Sequence, residues 1–357
     1  MLPRQLLYQP SSASMVILSK ELIMEILSLL PVKPLMRFRC VNKFFKTLIS
    51  DPHFVQMHRN KSKRNPKAIN WCVVDLPISR LLDISSATFH YYPYYDLNKD
   101  YSRWRVIGSC NGLLCLTYDH RRWVLWSTAN MTKSSEFFTP YLVDYFSYSF
   151  GHDNSTGTYK VVAFSNDMQP GFQSMVKVHS IRDNSWRNIQ CFYRKFASRD
   201  NNGVYLSGTI TWLALRNYYN VNIEKYVIVS LDLSTETYTR LILPRGFKKV
   251  PCSLPKLVVL TDCLCFCHDL EENHFVIWMM KDFGVQESWI QLFKISYRSF
   301  SSCYKFRGMS SIFPWLNLIP LGLSKNGNIL ILAKVEDLKA FIYNCRNNIV
   351  ESMVLTH

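Results

Sequence analysis

The chain has 357 residues and carries 42 Lys and Arg against 26 Asp and Glu, a formal charge of +16. With 48% hydrophobic and 14% aromatic residues it is too apolar for a disordered polymer, and it is long enough for one small and one large domain. No apolar run approaches membrane-spanning length, and the first ten residues hold Pro3, Arg4 and Pro10 where a secretory signal needs a sustained apolar stretch.

The first structured segment is a helical unit over 17–58. Ser19 is suited to N-cap a helix, and Glu21 then sits near the positive end of its dipole. Leu22, Ile23, Ile26, Leu27, Leu29 and Leu30 recur at three- and four-residue spacing and form a broad apolar stripe. Pro31 stops that helix, and Pro34 suits the first turn of a second. Phe38, Val41, Phe45 and Leu48 are the stripe of the second helix, with Lys43 and Lys46 solvated. Asp51 and Pro52 are an N-cap and N1 pair for a third, short helix through Val55. About forty residues is near the size at which a lone core becomes marginal. Periodicity alone therefore leaves two readings: a subdomain packed on the rest of the chain, or a docking surface covered by another protein.

Charge is concentrated here. Residues 1–70 hold 12 Lys and Arg against 3 Asp and Glu, with the densest run at Arg59, Lys61, Lys63, Arg64 and Lys67. Such a run reads as a solvated linker, as steering toward an acidic protein, or as a nucleic-acid patch. The Tyr-rich stretch His90–Asp96 offers rigid contact area, but no interleaved cation to follow a phosphate backbone until Lys99 and Arg103.

From Tyr101 the texture changes to short apolar runs separated by turn residues. Asn-Gly pairs at 111–112, 202–203 and 326–327 predict hairpins. Strands are expected within 107–116, 160–164, 176–181, 204–215, 226–233, 257–268, 274–280, 327–333 and 340–344. The spacing predicts an all-β sandwich, barrel or propeller; as a propeller, the length suits five or six blades of ~45 residues. Ser185-Trp186 and Ser288-Trp289 recur before strand-like ends.

Two resemblances to known families fall on these residues. Leu18, Leu22, Ile26, Leu29-Leu30-Pro31-Val32, Leu35, Arg37–Val41 and Leu48–Pro52 resemble an F-box, the motif that binds the adaptor Skp1 and attaches a protein to a cullin-based ubiquitin ligase. The resemblance implies an adaptor-binding set of Leu18, Leu22, Ile26, Leu29, Leu30, Pro31, Val32, Leu35, Arg39, Val41, Phe45 and Leu48. It departs at Ser19, where the family usually has Pro, and at Phe45, where it usually has Trp, which implies weaker binding and not its loss. Skp1-type adaptors are acidic as a family, which favours partner steering for the basic run. Gly108–Leu116, Tyr159–Val162, Val178–Ser180 with Trp186, Gly203–Tyr205 with Trp212–Ala214, and Phe275–Lys281 with Trp289 are similar to the plant F-box-associated domain. That family is described as kelch-like or propeller-like and selects the protein to be ubiquitinated. Its Leu-Trp-Asn-Pro element is altered here, Leu125-Trp126 being followed by Ser127-Thr128.

The expectation is a multidomain α+β chain: a tail over 1–14, a three-helix F-box over 15–60, a basic and Tyr-rich linker over 61–100, and an all-β domain over 101–357. That domain is expected to be a kelch-type propeller, with a sandwich as the alternative. The function implied is the substrate-recognition subunit of a Skp1–cullin–F-box ligase, non-catalytic, without cofactor or metal, binding a target protein and no membrane. Three rivals stay open: a basic nucleic-acid-binding protein, an enzyme with an unfamiliar β-domain site, and an F-box protein of a non-ligase Skp1 complex. The eleven cysteines fit reduced thiols of the cytosol or nucleus. Alternation puts Cys263, Cys265 and Cys267 on one strand face, whereas a zinc knuckle needs two residues between its ligands, so core packing is the expectation.

Overall fold

The computed structural model describes residues 19–30, 32–61, 67–69, 72–74, 89–90, 104–118, 122–127, 132–138, 146–165, 175–191, 195–196, 203–215, 222–251, 253–303, 316–324, 326–334, 339–353 and 355–356. The chain divides into two compact units, Met1–Lys63 and Arg64–His357. Among the described residues, no helix is long and apolar enough to cross a membrane.

The first unit holds four helices: α1 (Lys20–Ser28), α2 (Val32–Arg39), α3 (Lys43–Ser50) and α4 (Pro52–Lys61). The segment expected as one second helix is therefore two. Cys40 and Val41 close α2 with hydrogen bonds to the carbonyls of Arg37 and Phe38, both 3.0 Å. Asn42 then starts α3, its side-chain oxygen accepting from the Phe45 amide at 2.9 Å. The helix expected through Val55 continues to Lys61. Leu27, Leu35, Leu48, Ile49 and Phe54 form the core of the unit. His58 joins α4 to the end of α1: its Nε2 donates to the Leu30 carbonyl at 2.9 Å, and its ring stacks on Phe54. A His58→Ala substitution is expected to destabilise the unit by about 1–2 kcal/mol, measurable in urea titrations followed by circular dichroism.

The second unit is a five-bladed β-propeller. The blades are antiparallel sheets spanning 104–138, 146–189, 195–241, 256–296 and 318–353. The sandwich alternative falls away, because each sheet packs against the next and not face to face in one pair. Both faces of a blade are covered, so residues in direct succession go to different cores. Val161 packs toward the first blade and Val162 toward the third; Trp212 faces the second blade and Leu213 the fourth. Cys265 faces the fifth blade while Phe266 faces the third. Inner strands are consequently largely apolar on both faces, as in Thr209–Leu215, which is buried at every position after the first.

The expected strands 107–116, 160–164, 176–181, 204–215, 226–233, 257–268, 274–280, 327–333 and 340–344 all fall on strands or on strand pairs with their turns. Asn111 and Gly112 form the two-residue turn expected of them, with φ of 50° and 78°. Gly203 does something else. Asn202 lies outside the described residues, and the nearby hairpin turns at Ser207-Gly208, with φ of 48° and 93°. Gly203 is placed where a Cβ would lie 2.3 Å from the Trp212 indole nitrogen. A side chain is excluded there by contact, not by turn geometry. Short strands at Lys67–Ile69, Cys72–Val74 and Phe89–His90 occur in the stretch expected as a linker, the last pairing in parallel with Leu355–Thr356.

Candidate functional site

Helix α1 starts where its sequence dictates. The Ser19 hydroxyl accepts from the Leu22 amide at 3.3 Å, and the Glu21 carboxyl is held below its ordinary value by its backbone amide and the Ser19 hydroxyl. The helix carries two apolar rows offset by one position. Ile23, Leu27 and Leu30 turn inward to the core, whereas Leu22, Ile26 and Leu29, at i, i+4 and i+7, turn outward. Leu22 is 46% exposed, Ile26 48% and Leu29 73%. Val41, on the turn after α2, is exposed as well.

The adaptor-binding set implied by the resemblance is therefore divided. Leu22, Ile26, Leu29 and Val41 are exposed, and Leu30, Arg39 and Phe45 are half-buried. Leu35 and Leu48 are 4% and 3% exposed; they fill the unit's own core and present nothing outward. Leu18 and Pro31 lie outside the described residues, as does the side chain of Val32. Met36, Phe38 and Phe44 join the exposed apolar residues without having been in the implied set. Phe38 and Phe44 flank Phe45 with ring centroids 5.6 and 5.5 Å from it, making an aromatic cluster where the family usually has one Trp. The adjacent pair Phe44-Phe45 was the available signal: on so short a helix, one of two successive phenylalanines must face away from the core. Full burial of each exposed Leu, Ile or Phe yields roughly 1.5–3 kcal/mol, so this face has a strong drive to be covered. Of the basic run, Lys63 and Arg64 lie outside the described residues, as do the side chains of Arg59, Lys61 and Lys67. The tyrosines of 91–95 also lie outside them.

The chemistry of the second unit is that of packing. Cys265 and Cys267 are fully buried between the fourth and fifth blades, with Cys263 packed at the edge of the same cluster. Burial and the neighbouring Asp262 and Asp282 raise the Cys263 thiol, and burial raises that of Cys115 strongly. Both are kept as thiols and are poor nucleophiles. Among the described residues, no three His, Cys, Asp or Glu side chains converge as a metal site. Maleimide labelling of the native chain at neutral pH is expected to modify the exposed Cys40 and spare Cys115, as read by peptide mass spectrometry.

Blades two and three are joined by a buried charge network. Lys160 Nζ lies 2.9 Å from Asp153 Oδ2 and 3.2 Å from Glu236 Oε1, and Arg187 pairs with Glu236. Burial pushes the Asp153 carboxyl up. Hydrogen bonds from Ser155, Lys160 and Thr156 outweigh it and hold the group well below the usual carboxylate range.

The recurring Ser-Trp pairs have a structural meaning. Each tryptophan lies at the start of the outer strand of its blade, and each indole N–H donates to a backbone carbonyl at the end of the preceding blade. Trp186 reaches Phe138, 48 residues back, at 3.4 Å, and Trp289 reaches Ile242, 47 back, at 2.9 Å. In both cases the tie runs from the start of one blade's outer strand to the end of the preceding blade. Sequence inspection found the motif without its partner, because the acceptor is a main-chain group with no side-chain signature.

Fold and exposed face together define a class: a small helical unit with an uncovered apolar row on a chain that carries a propeller. Family comparison places the chain within it. Residues 16–57 match the F-box domain, and residues 81–338 match the F-box associated beta propeller domain. The chain is 29% identical over 303 residues to an F-box/kelch-repeat protein of Arabidopsis thaliana, covering 77% of this chain and 78% of that one. It is 25% identical over 320 residues to F-box protein CPR1 of the same plant, covering 79% and 74%. The chain belongs to the plant F-box proteins that carry an F-box associated beta propeller domain.

Proposed function

We propose that this chain is the substrate-recognition subunit of a Skp1–cullin–F-box ubiquitin ligase, acting in the cytosol or nucleus. The helical unit binds the Skp1-type adaptor, and through it a cullin; the propeller holds a target protein for ubiquitination and degradation. The observation that carries the reading is the outward row Leu22, Ile26 and Leu29, a second apolar stripe on a helix whose first stripe already fills the core. The F-box and propeller matches support a substrate-recognition role in general. No covalent step is assigned to the chain. Its contribution is proximity: a target held on the propeller meets the charged conjugating enzyme at an effective concentration far above its free one.

Co-purification of the full chain with a Skp1-type adaptor is the test. Adaptor binding that brings cullin with it supports the reading. Failure of the wild-type chain to bind would sink it, and adaptor binding without cullin would move the chain to a non-ligase complex.

A further inference from the structure

The junction between the first two blades contains more than a tie. Beside the Trp186–Phe138 hydrogen bond is a cavity of about 350 Å³, in the range of sites that take a single side chain or small ligand. It is lined by the rings of Phe137, Phe138, Trp186 and His179 and by the polar residues Ser135, Glu136 and Asn184. Trp123 stacks on Phe137 at 4.3 Å and meets His179 edge-on at 5.0 Å, so the rings are held from behind. Trp186 lies 4.9 Å from His179, and its N–H is used in the tie, which leaves its ring face as the group available to a ligand. Phe138 is 62% exposed at the edge.

Glu136 is the charged group of this lining, and among the described residues no cation pairs with it. Burial lowers the pKa of His179, against a weaker opposing hydrogen bond from Asn184, so the imidazole adds no positive charge at neutral pH. His179 Nδ1 is buried without a hydrogen-bond partner. Arg182 and Arg187 of the second blade are engaged elsewhere, on the Thr156 carbonyl and on Glu236.

The junction of the third and fourth blades is an internal comparison. There the same tie joins Trp289 to Ile242, and Ile242 is again 62% exposed. Its acidic residue Glu287 lies on the tryptophan side of the tie, not on the acceptor side where Glu136 lies, and is 3.9 Å from Arg245 with both side chains largely exposed.

We propose that the cavity between the first and second blades is a target-binding pocket, and that it takes the cationic side chain of an arginine or lysine from the target protein. Aromatic faces attract a cation through their negative ring centres, and Glu136 supplies the opposite charge at the mouth. This rests on the reading of the propeller as the target-holding domain and adds the chemistry it recognises.

Short fluorescent peptides with one central arginine, lysine, citrulline or leucine, otherwise identical, are titrated against the full chain. Arginine and lysine peptides are expected to bind roughly tenfold more tightly than citrulline or leucine peptides, a preference that weakens with salt. Glu136→Gln is expected to remove that preference, and Phe138→Ala to reduce affinity several-fold. Both side chains are exposed, so unchanged thermal unfolding certifies the fold. Citrulline binding as well as arginine, Glu136→Gln leaving the preference intact, or no peptide binding up to millimolar concentration would each overturn the pocket. Adaptor binding is measured on the same preparation. Its retention with no peptide binding removes the pocket alone, whereas its loss with peptide binding intact removes the adaptor reading alone.

Discussion

Replacing Leu29 by aspartate is expected to weaken adaptor binding at least about 100-fold while leaving the helical unit folded. Leu29 is 73% exposed and sits at the C-cap of α1, outside the core. In the free chain the substitution exchanges one solvated side chain for another and is expected to be near neutral. In the complex it removes about 2 kcal/mol of apolar burial and also forces a carboxylate out of water, a further cost of several kcal/mol. Together these exceed the ~2.7 kcal/mol that a hundredfold change in affinity requires. Leu48→Asp is the contrasting variant. At 3% exposure it puts a charge into the core of the unit, and both adaptor binding and helical circular dichroism are expected to be lost. Isothermal titration against a Skp1-type adaptor, with circular dichroism on the same samples, separates the two. An unchanged affinity for Leu29→Asp would show that the outward row of α1 is not the docking face.

The second large effect is expected inside the propeller. Asp153→Ala leaves Lys160 buried with only Glu236, itself shared with Arg187, as a charge partner. It also removes the acceptor for the Ser155 and Thr156 amides and hydroxyls. Breaking a buried pair from one side costs about 3–5 kcal/mol, which corresponds to a fall of roughly 10 °C in the unfolding temperature of a domain this size. The same carboxylate sets a pH dependence. Its folded pKa is depressed below the unfolded value of about 3.9, so its contribution is fully present above that value and is lost as pH falls toward the folded one. Thermal unfolding of wild type and Asp153→Ala is therefore expected to differ most near neutral pH and to converge in strong acid. A difference that stays constant down to pH ~2 would mean that packing, not charge, carries the effect of the substitution.

How much of this was legible in advance depended on the range of the interaction. Ser19 as a cap, Pro52 at the head of α4 and the Asn111-Gly112 turn involve residues within four of one another, and each was readable from the string. Asn42 carried the same kind of cap signal but lay inside an apolar stripe that read as continuous, so one helix was expected where two exist. Outer strands such as Ser185–Ile189, half-exposed and polar, lacked the apolar runs that marked the inner ones. The turn at Glu271-Glu272, with φ of 51° and 58°, has none of the usual turn residues. In the implied adaptor set, residue type alone could not tell Leu29 from Leu48, since both are leucines at helical spacing.

By itself, the sequence determined the helical unit, the all-β character of the larger domain and membership of the family, because caps, alternation and motif order are properties of neighbours along the chain. Tertiary structure alone decided that the blades number five and which apolar row of α1 faces out. It likewise decided that Leu35 and Leu48 belong to a core, that Glu236 meets Lys160 across a blade junction, and that Glu136 stands unpaired beside aromatic rings. Each of these depends on groups brought together from distant positions, and burial is a property of that assembly and not of any residue in it.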